Sequence, residues 1–158
     1  MNFAFQAFGV YKESETASSV KSRDYKDATD LILRGGGDMS DVRRLTPLET
    51  ERLQGMPDGW TDIGDWEDSN GKKHKCTDAP RYKAIGNSLA TPFWFYILRR
   101  ISAQYERPAT LGSLFDGLGM FPLCWERCNG PGTAIWASEI EEFPMAVTRR
   151  RFPDESKA

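Results

Sequence analysis

The residues with the clearest chemical content lie in two stretches of the back third, TLGSLFDGLGMF (110–121) and IWASEIEEF (135–143). A strand that ends in Gly-x-Gly and opens a helix presents backbone N–H groups to a ligand with no side chain in the way. Gly117 and Gly119 supply that close approach. Glu139 stands 22 residues after Gly117, at the end of the next strand-like run. A carboxylate there can accept hydrogen bonds from both hydroxyls of a ribose. Together they point to a ligand containing adenosine.

The spacing departs from the dinucleotide pattern G-x-G-x-x-G, because Pro122 occupies the third glycine position. With the bulky Phe115 before the turn, this favours adenosine without a pyrophosphate, which S-adenosyl-L-methionine satisfies. A nicotinamide-dependent oxidoreductase fragment is a distant alternative, and a strand–helix turn that merely uses glycine is the bland one. Three cysteines, Cys76, Cys124 and Cys128, form no even disulfide framework. With His74 the only histidine, a tetrahedral zinc site would need distant or carboxylate ligands. Packed or surface thiols in a reducing compartment are expected instead.

The elements that must position these residues can be read from periodicity and punctuation. TLGSLF (110–115) and GTAIWASEI (132–140) read as strands. FPLCWERCNG (121–130) and EEFPMAVTRRRF (141–152) read as helices with early prolines, and Gly130 stops the first. Strand, helix, strand, helix is the first half of a doubly wound sheet. Upstream, FWFYILRRI (93–101) is apolar on nearly every side and predicts a buried helix started by Thr91 and Pro92. LTPLETERLQGMPDGW (45–60) predicts a short helix with Thr46 as N-cap, Pro47 at its first position and Glu49 completing a capping box. Gly55 and Pro57 end it. Residues 61–81 are polar and turn-rich, an expected exposed loop and the expected site of mobility. RGGGDMSD (34–41) is a glycine-rich turn without the Lys-Ser/Thr of a phosphate loop, and residues 1–34 predict strands of a small, mostly irregular lobe. The division expected is 1–60, the polar loop 61–81, and 82–158.

The chain has 158 residues with a net charge of −2, so a strongly cationic nucleic-acid binder is disfavoured, though a local basic face is compatible with it. No apolar run approaches the roughly 18 residues of a membrane span. No signal-peptide pattern opens the chain, and a cytoplasmic location is the expectation.

Four segments together resemble the DNA cytosine-5 methyltransferase family. RRLTPLETERLQGMPDGW (43–60) is similar to its ninth motif and RYKAIGNSLATP (81–92) to its tenth. SLFDGLGMF (113–121) resembles its first and IWASEIEEF its second. The resemblance implies an α/β, Rossmann-like fold dependent on S-adenosyl-L-methionine, and double-stranded DNA as substrate. A target cytosine leaves the duplex. A cysteine thiolate in a Pro-Cys loop adds to carbon 6, and carbon 5 then takes the methyl group. It further implies that Phe115 packs on the adenine, with Ile140 flanking it. The turn Asp116, Gly117, Leu118, Gly119 and Met120 holds the methionine part largely through backbone groups, Glu139 binds the ribose, and Asn87 and Ser88 close the pocket from the other side. The motif-nine helix, with Arg43, serves as scaffold rather than DNA contact. Met120 departs from the pattern, which has a second consecutive glycine there.

The order here is nine, ten, one, two, whereas the family begins with motif one. A circular permutation, with AQYERPA (103–109) joining neighbouring ends, accounts for it. No Pro-Cys loop, Glu-Asn-Val or Gln-x-Arg-x-Arg is found, and none of the three cysteines follows a proline. A partial Rossmann-like fold, a split subunit or fragment contributing the cofactor pocket, and a partner carrying the catalytic cysteine are therefore expected. A non-catalytic adaptor that binds DNA or a methyltransferase through residues 1–60 is the competing reading.

Overall fold

The computed structural model describes residues 2–7, 10–15, 30–33, 42–107 and 109–152. The first part is more regular than the apolar pattern suggested. Strands β1 (Asn2–Ala7), β2 (Val10–Ser14), β3 (Asp30–Leu33) and β4 (Val42–Arg44) form one antiparallel sheet in the order β2-β1-β3-β4. The glycine-rich stretch 34–41 lies outside the described residues.

Helix α1 (Pro47–Leu53) follows its punctuation. Thr46 accepts from the Glu49 N–H at 3.3 Å while the Glu49 carboxylate accepts from the Thr46 N–H at 2.7 Å, closing the capping box. Glu49 also forms a bidentate pair with Arg43, at 2.7 and 2.8 Å. Arg52 pairs with Asp58, and Gln54 donates to Ile85 O. The polar side chains of this segment thus pair with one another or with nearby backbone groups. Gly55 has φ +71°, and a Cβ there would lie 2.4 Å from Pro92. Glycine is needed both for the left-handed turn and for the close contact between the end of α1 and Pro92.

Residues 61–81 are not a free loop. A small hairpin, β5 (Trp66–Glu67) with β6 (Lys73–His74), is built there. Asp68 stabilises its turn by accepting from the Asn70 and Lys72 N–H groups and by pairing with His74 at 2.8 Å. Trp66 stacks on His74 and meets Phe143 edge-on, and Ser69 donates to Glu142. The hairpin is therefore fastened to the last described helix, α5 (Glu142–Arg151). Its polar composition hid this, because one tryptophan supplies the apolar contact.

Helix α2 (Asp78–Asn87) was not evident from composition. Helix α3 (Thr91–Ser102) has Ala90 rather than Thr91 as N-cap, and Thr91 is buried in its first turn. Nor is α3 buried all round. It lies along α4 (Met120–Asn129) through Leu98 and Phe95, while Phe93, Tyr96 and Ile101 stay exposed and Arg100 stacks on Tyr96. Its other side meets no apolar cover among the described residues.

Strands β7 (Leu111–Leu114) and β8 (Ala134–Ser138) pair in parallel, with α4 between them and α5 (Glu142–Arg151) after β8. This strand–helix–strand–helix order matches the sequence reading. One core joins both halves of the chain: Met56, Trp60, Ala84 and Ile85 pack with Leu118, Met120, Phe143 and Val147. A second cluster sets Leu98 against Cys124 and Trp125. No helix among the described residues is long and apolar enough to cross a membrane.

Candidate cofactor site

The site is assembled where β7 and β8 end side by side. Leu114 pairs with Ser138, and the Asp116 N–H donates to Ser138 O at 3.0 Å, so both chains leave the sheet together. Gly117 and Gly119 then adopt φ of +59° and +75°, and Gly119 caps α4. A Cβ on Gly117 would meet nothing within 4 Å, so the space beside this one residue is open. At Gly119 it would lie 2.6 Å from Phe152, so this second glycine also answers to packing.

Glu139 is held across that turn. Its Oε2 accepts from the Gly117 N–H at 2.6 Å, and its Oε1 accepts from Ile140 N and Glu141 N at 2.7 and 3.0 Å. The carboxylate thus links the end of β8 to the glycine turn after β7. A carboxylate has about four lone-pair sites, and these N–H groups occupy three of them, which leaves one on Oε2 for a ribose hydroxyl. Phe115 and Ile140 stand beside it at 83% and 81% exposure. Phe115 also has φ +54°, a left-handed conformation that is strained for a bulky residue. Two apolar side chains presented to water beside a ribose-competent carboxylate offer surfaces for a flat base.

Leu118 and Met120 sit differently. Both side chains are buried in the core, so only their backbone can serve a ligand. The Leu118 carbonyl accepts from the Trp60 indole at 2.7 Å, and the Met120 sulfur accepts from the Thr91 hydroxyl at 3.4 Å. Met120 in place of a glycine thus fastens the start of α4 to the start of α3. Trp60 has a role that sequence reading did not assign: it braces the glycine turn from a position 58 residues upstream. Its place in the motif-nine segment was the available signal.

A cavity of about 250 Å³ runs beside β7, lined by Leu89, Leu111, Ser113, Phe115, Asp116 and Phe121 among others. Its wall includes consecutive residues of β7, which alternate between the two faces, so it follows the strand's free edge. From the motif-ten segment it is Leu89 that reaches this wall. Asn87 is exposed at the end of α2, Ser88 is its C-cap, and neither lines the cavity. Burial pushes the Asp116 carboxyl above its usual range; the Ser113 hydrogen bond opposes this and the nearby Glu139 charge adds to it.

Two of the three cysteines, both on α4, are poorly suited to attack. Cys124 is fully buried in α4, and burial raises its thiol to about 11. Cys128, on the same helix, is also raised by burial. Cys76 is half-buried, with its sulfur 3.7 Å from Thr61 O. Among the described residues no cluster of His, Cys, Asp or Glu could hold a metal ion.

Comparison with known proteins agrees with the upstream half of this picture. The profile of the C-5 cytosine-specific DNA methylase family matches residues 2–103, well over half of the chain. A DNA N-6-adenine-methyltransferase of Escherichia phage P1 is 31% identical over 63% of this chain and 24% of its own length. The type II methyltransferase M.NlaX of Neisseria lactamica is 28% identical over 69% of this chain and 29% of its own. M.SsoII of Shigella sonnei is 30% identical over 63% and 23%. The chain therefore spans about a quarter of the length of these curated relatives. By the family profile, which covers motif nine, α2 and α3, the chain belongs to the C-5 cytosine-specific DNA methylase family.

Proposed function

We propose that this chain builds the S-adenosyl-L-methionine pocket of a DNA cytosine-5 methyltransferase, and acts with a segment or partner chain that supplies the Pro-Cys loop. The observation that carries the reading is the Glu139–Gly117 contact, which joins the strand-end carboxylate to the glycine turn at one mouth. In this reading Glu139 holds the ribose, Phe115 and Ile140 flank the adenine, and the backbone of residues 116–120 lies along the methionine part. Asn87 and Ser88, at the end of α2 and off the cavity beside β7, close the cofactor from the other side. The open space beside Gly117 is compatible with such a ligand. Bound there, S-adenosyl-L-methionine supplies an electrophilic methyl group; double-stranded DNA supplies the cytosine.

Two features support the permuted and partial arrangement. The last residue of α3 and a residue just before β7 both meet α4: Ser102 donates to Asn129 at 2.7 Å, and Trp125 donates to Ala109 O at 3.1 Å. Motif ten can thus run directly into motif one. Further, a parallel pair is ordinarily covered on both faces, whereas Leu114, Ile135 and Trp136 are exposed here at 65, 54 and 40%. That surface suits the remaining strands and helices of a methyltransferase.

The test is calorimetric titration of the purified chain with S-adenosylhomocysteine, beside a methylation assay on unmethylated duplex DNA. Binding should occur and should weaken at least tenfold in Glu139→Ala. Methylation should appear only when a polypeptide bearing the Pro-Cys loop is added. Absence of binding, or methylation by this chain alone, would overturn the reading. The name of the phage P1 relative favours a second reading, adenine N6 as acceptor. Mass analysis of the nucleosides decides between 5-methylcytosine and N6-methyladenine. DNA binding that ignores both cofactor and Glu139→Ala would favour the adaptor instead.

A further inference from the structure

Glu139 owes its orientation to the backbone just beyond it. Its Oε1 accepts from Ile140 N at 2.7 Å and from Glu141 N at 3.0 Å, so a shift of residue 141 carries that oxygen with it. Packing does little to fix this stretch. Ile140 is 81% exposed, Glu141 is exposed as well, and the chain regains the core only at Phe143. Two polar fastenings hold it instead. Nζ of Lys83 donates to both carboxylate oxygens of Glu141, at 3.0 and 2.8 Å. From the hairpin, the Ser69 N–H and hydroxyl donate to the two oxygens of Glu142, the first at 2.9 Å.

Lys83 lies on α2 four residues before Asn87, so the two share a face of that helix. Its pair with Glu141 therefore spans from the helix that ends in Asn87 and Ser88 to the stretch that carries Glu139. To folding as a whole the pair adds little, since its partners are 49 and 51% exposed. As a tether it matters more, because a stretch ordered before a ligand arrives has no freedom left to lose on binding. We propose that Lys83 is a positioning residue, whose ion pair with Glu141 holds the ribose-binding carboxylate in place relative to the motif-ten turn. This rests on the cofactor reading above and deepens it, by naming what ties the two sides of that site together.

The experiment titrates the full chain with S-adenosylhomocysteine and follows thermal unfolding beside it. Lys83→Met should weaken binding about threefold to fivefold while its Tm stays within about 2 °C of wild type. Glu141→Gln should do the same, and the double variant should bind no more weakly than either single one. Lys83→Arg, which keeps the charge, should recover most of the affinity. Raising the salt from about 0.05 M to about 0.5 M should weaken wild type by a similar factor and leave Lys83→Met nearly unchanged. The proposal is overturned if Lys83→Met binds as wild type does, if the losses add in the double variant, or if Lys83→Arg behaves like Lys83→Met. A Tm fall above about 5 °C in both single variants would mark a pair that holds the fold rather than the site, and overturns it as well. If wild-type chain binds no S-adenosylhomocysteine, the cofactor reading itself fails, so the two failures are distinguishable.

Discussion

Glu51 is completely buried, and its replacement by glutamine tests how the cofactor turn is supported from behind. Its Oε2 accepts from the Gly59 N–H at 2.7 Å, and its Oε1 accepts from the Thr61 N–H at 2.8 Å and from the Thr61 hydroxyl. The Arg81 guanidinium lies 3.5 Å from Oε1, and Arg81 also donates to the Thr61 hydroxyl oxygen at 3.0 Å. Glutamine has one acceptor oxygen. If that oxygen serves Thr61, the new NH2 faces the Gly59 N–H, donor against donor. An orphaned donor costs about 1–3 kcal/mol. Removing the charge opposite Arg81, itself only 13% exposed, adds about 1 kcal/mol or more. The expected loss is about 3 kcal/mol, or a fall in Tm of about 6–12 °C for a chain of this size. Thermal and urea unfolding followed by circular dichroism at pH 7 measures it. Because the 57–62 loop carries Trp60, affinity for S-adenosylhomocysteine should fall as well. A Tm within about 2 °C of wild type would refute the argument that Glu51 holds this loop.

The Glu49 carboxyl is lowered to about 2, first by the Arg43 hydrogen bond and then by Thr46 against the cost of burial. Its folded-state value lies below the unfolded one, so its stabilisation is present above about pH 4.5 and fades as pH falls towards 2. With Arg43 39% exposed, screening reduces the effect to about 1–2 kcal/mol; acid titration of unfolding free energy should show it, and Glu49→Gln should abolish it. Gly55→Ala should destabilise by about 2 kcal/mol or more, since it meets both a φ of +71° and the Pro92 ring; urea denaturation checks this. Trp60→Phe removes the donor to Leu118 O but keeps an aromatic ring, so it should cost about 1 kcal/mol and weaken S-adenosylhomocysteine binding in titration. Thiol labelling at pH 8 should modify Cys76 and Cys128 well before Cys124, whose thiol sits near 11; rapid labelling of Cys124 would contradict its burial.

Local signals were the legible ones. Thr46, Pro47 and Glu49 specify α1 through contacts within a single turn, and Gly130 specifies the end of α4 in the same way. Glu139 and Gly117 were both singled out from spacing, and they meet because parallel strands in register bring their ends together. What escaped notice depends on distant partners. The hairpin at 66–74 looks polar until Trp66 finds Phe143, and α2 starts within a charged stretch with a hydrophobic side formed only by Ala84 and Ile85. The reverse error concerned α3. A helix apolar all round implies cover on every side, but here α4 covers one side and leaves Phe93 and Tyr96 in water. Leu89 reached the cavity wall ahead of Asn87 and Ser88 for a similar reason: sequence names a turn, but only packing decides which of its residues faces inward.

The indole of Trp60 gives this protein an optical gauge. The ring is a buried fluorophore whose N–H rests on a carbonyl of the very turn that a cofactor would touch, and its face borders Arg151 and Phe152. A small displacement of that carbonyl alters the polarity felt by the excited state. Occupancy of the turn should therefore shift the Trp60 contribution to the intrinsic emission, read against that of the other four tryptophans.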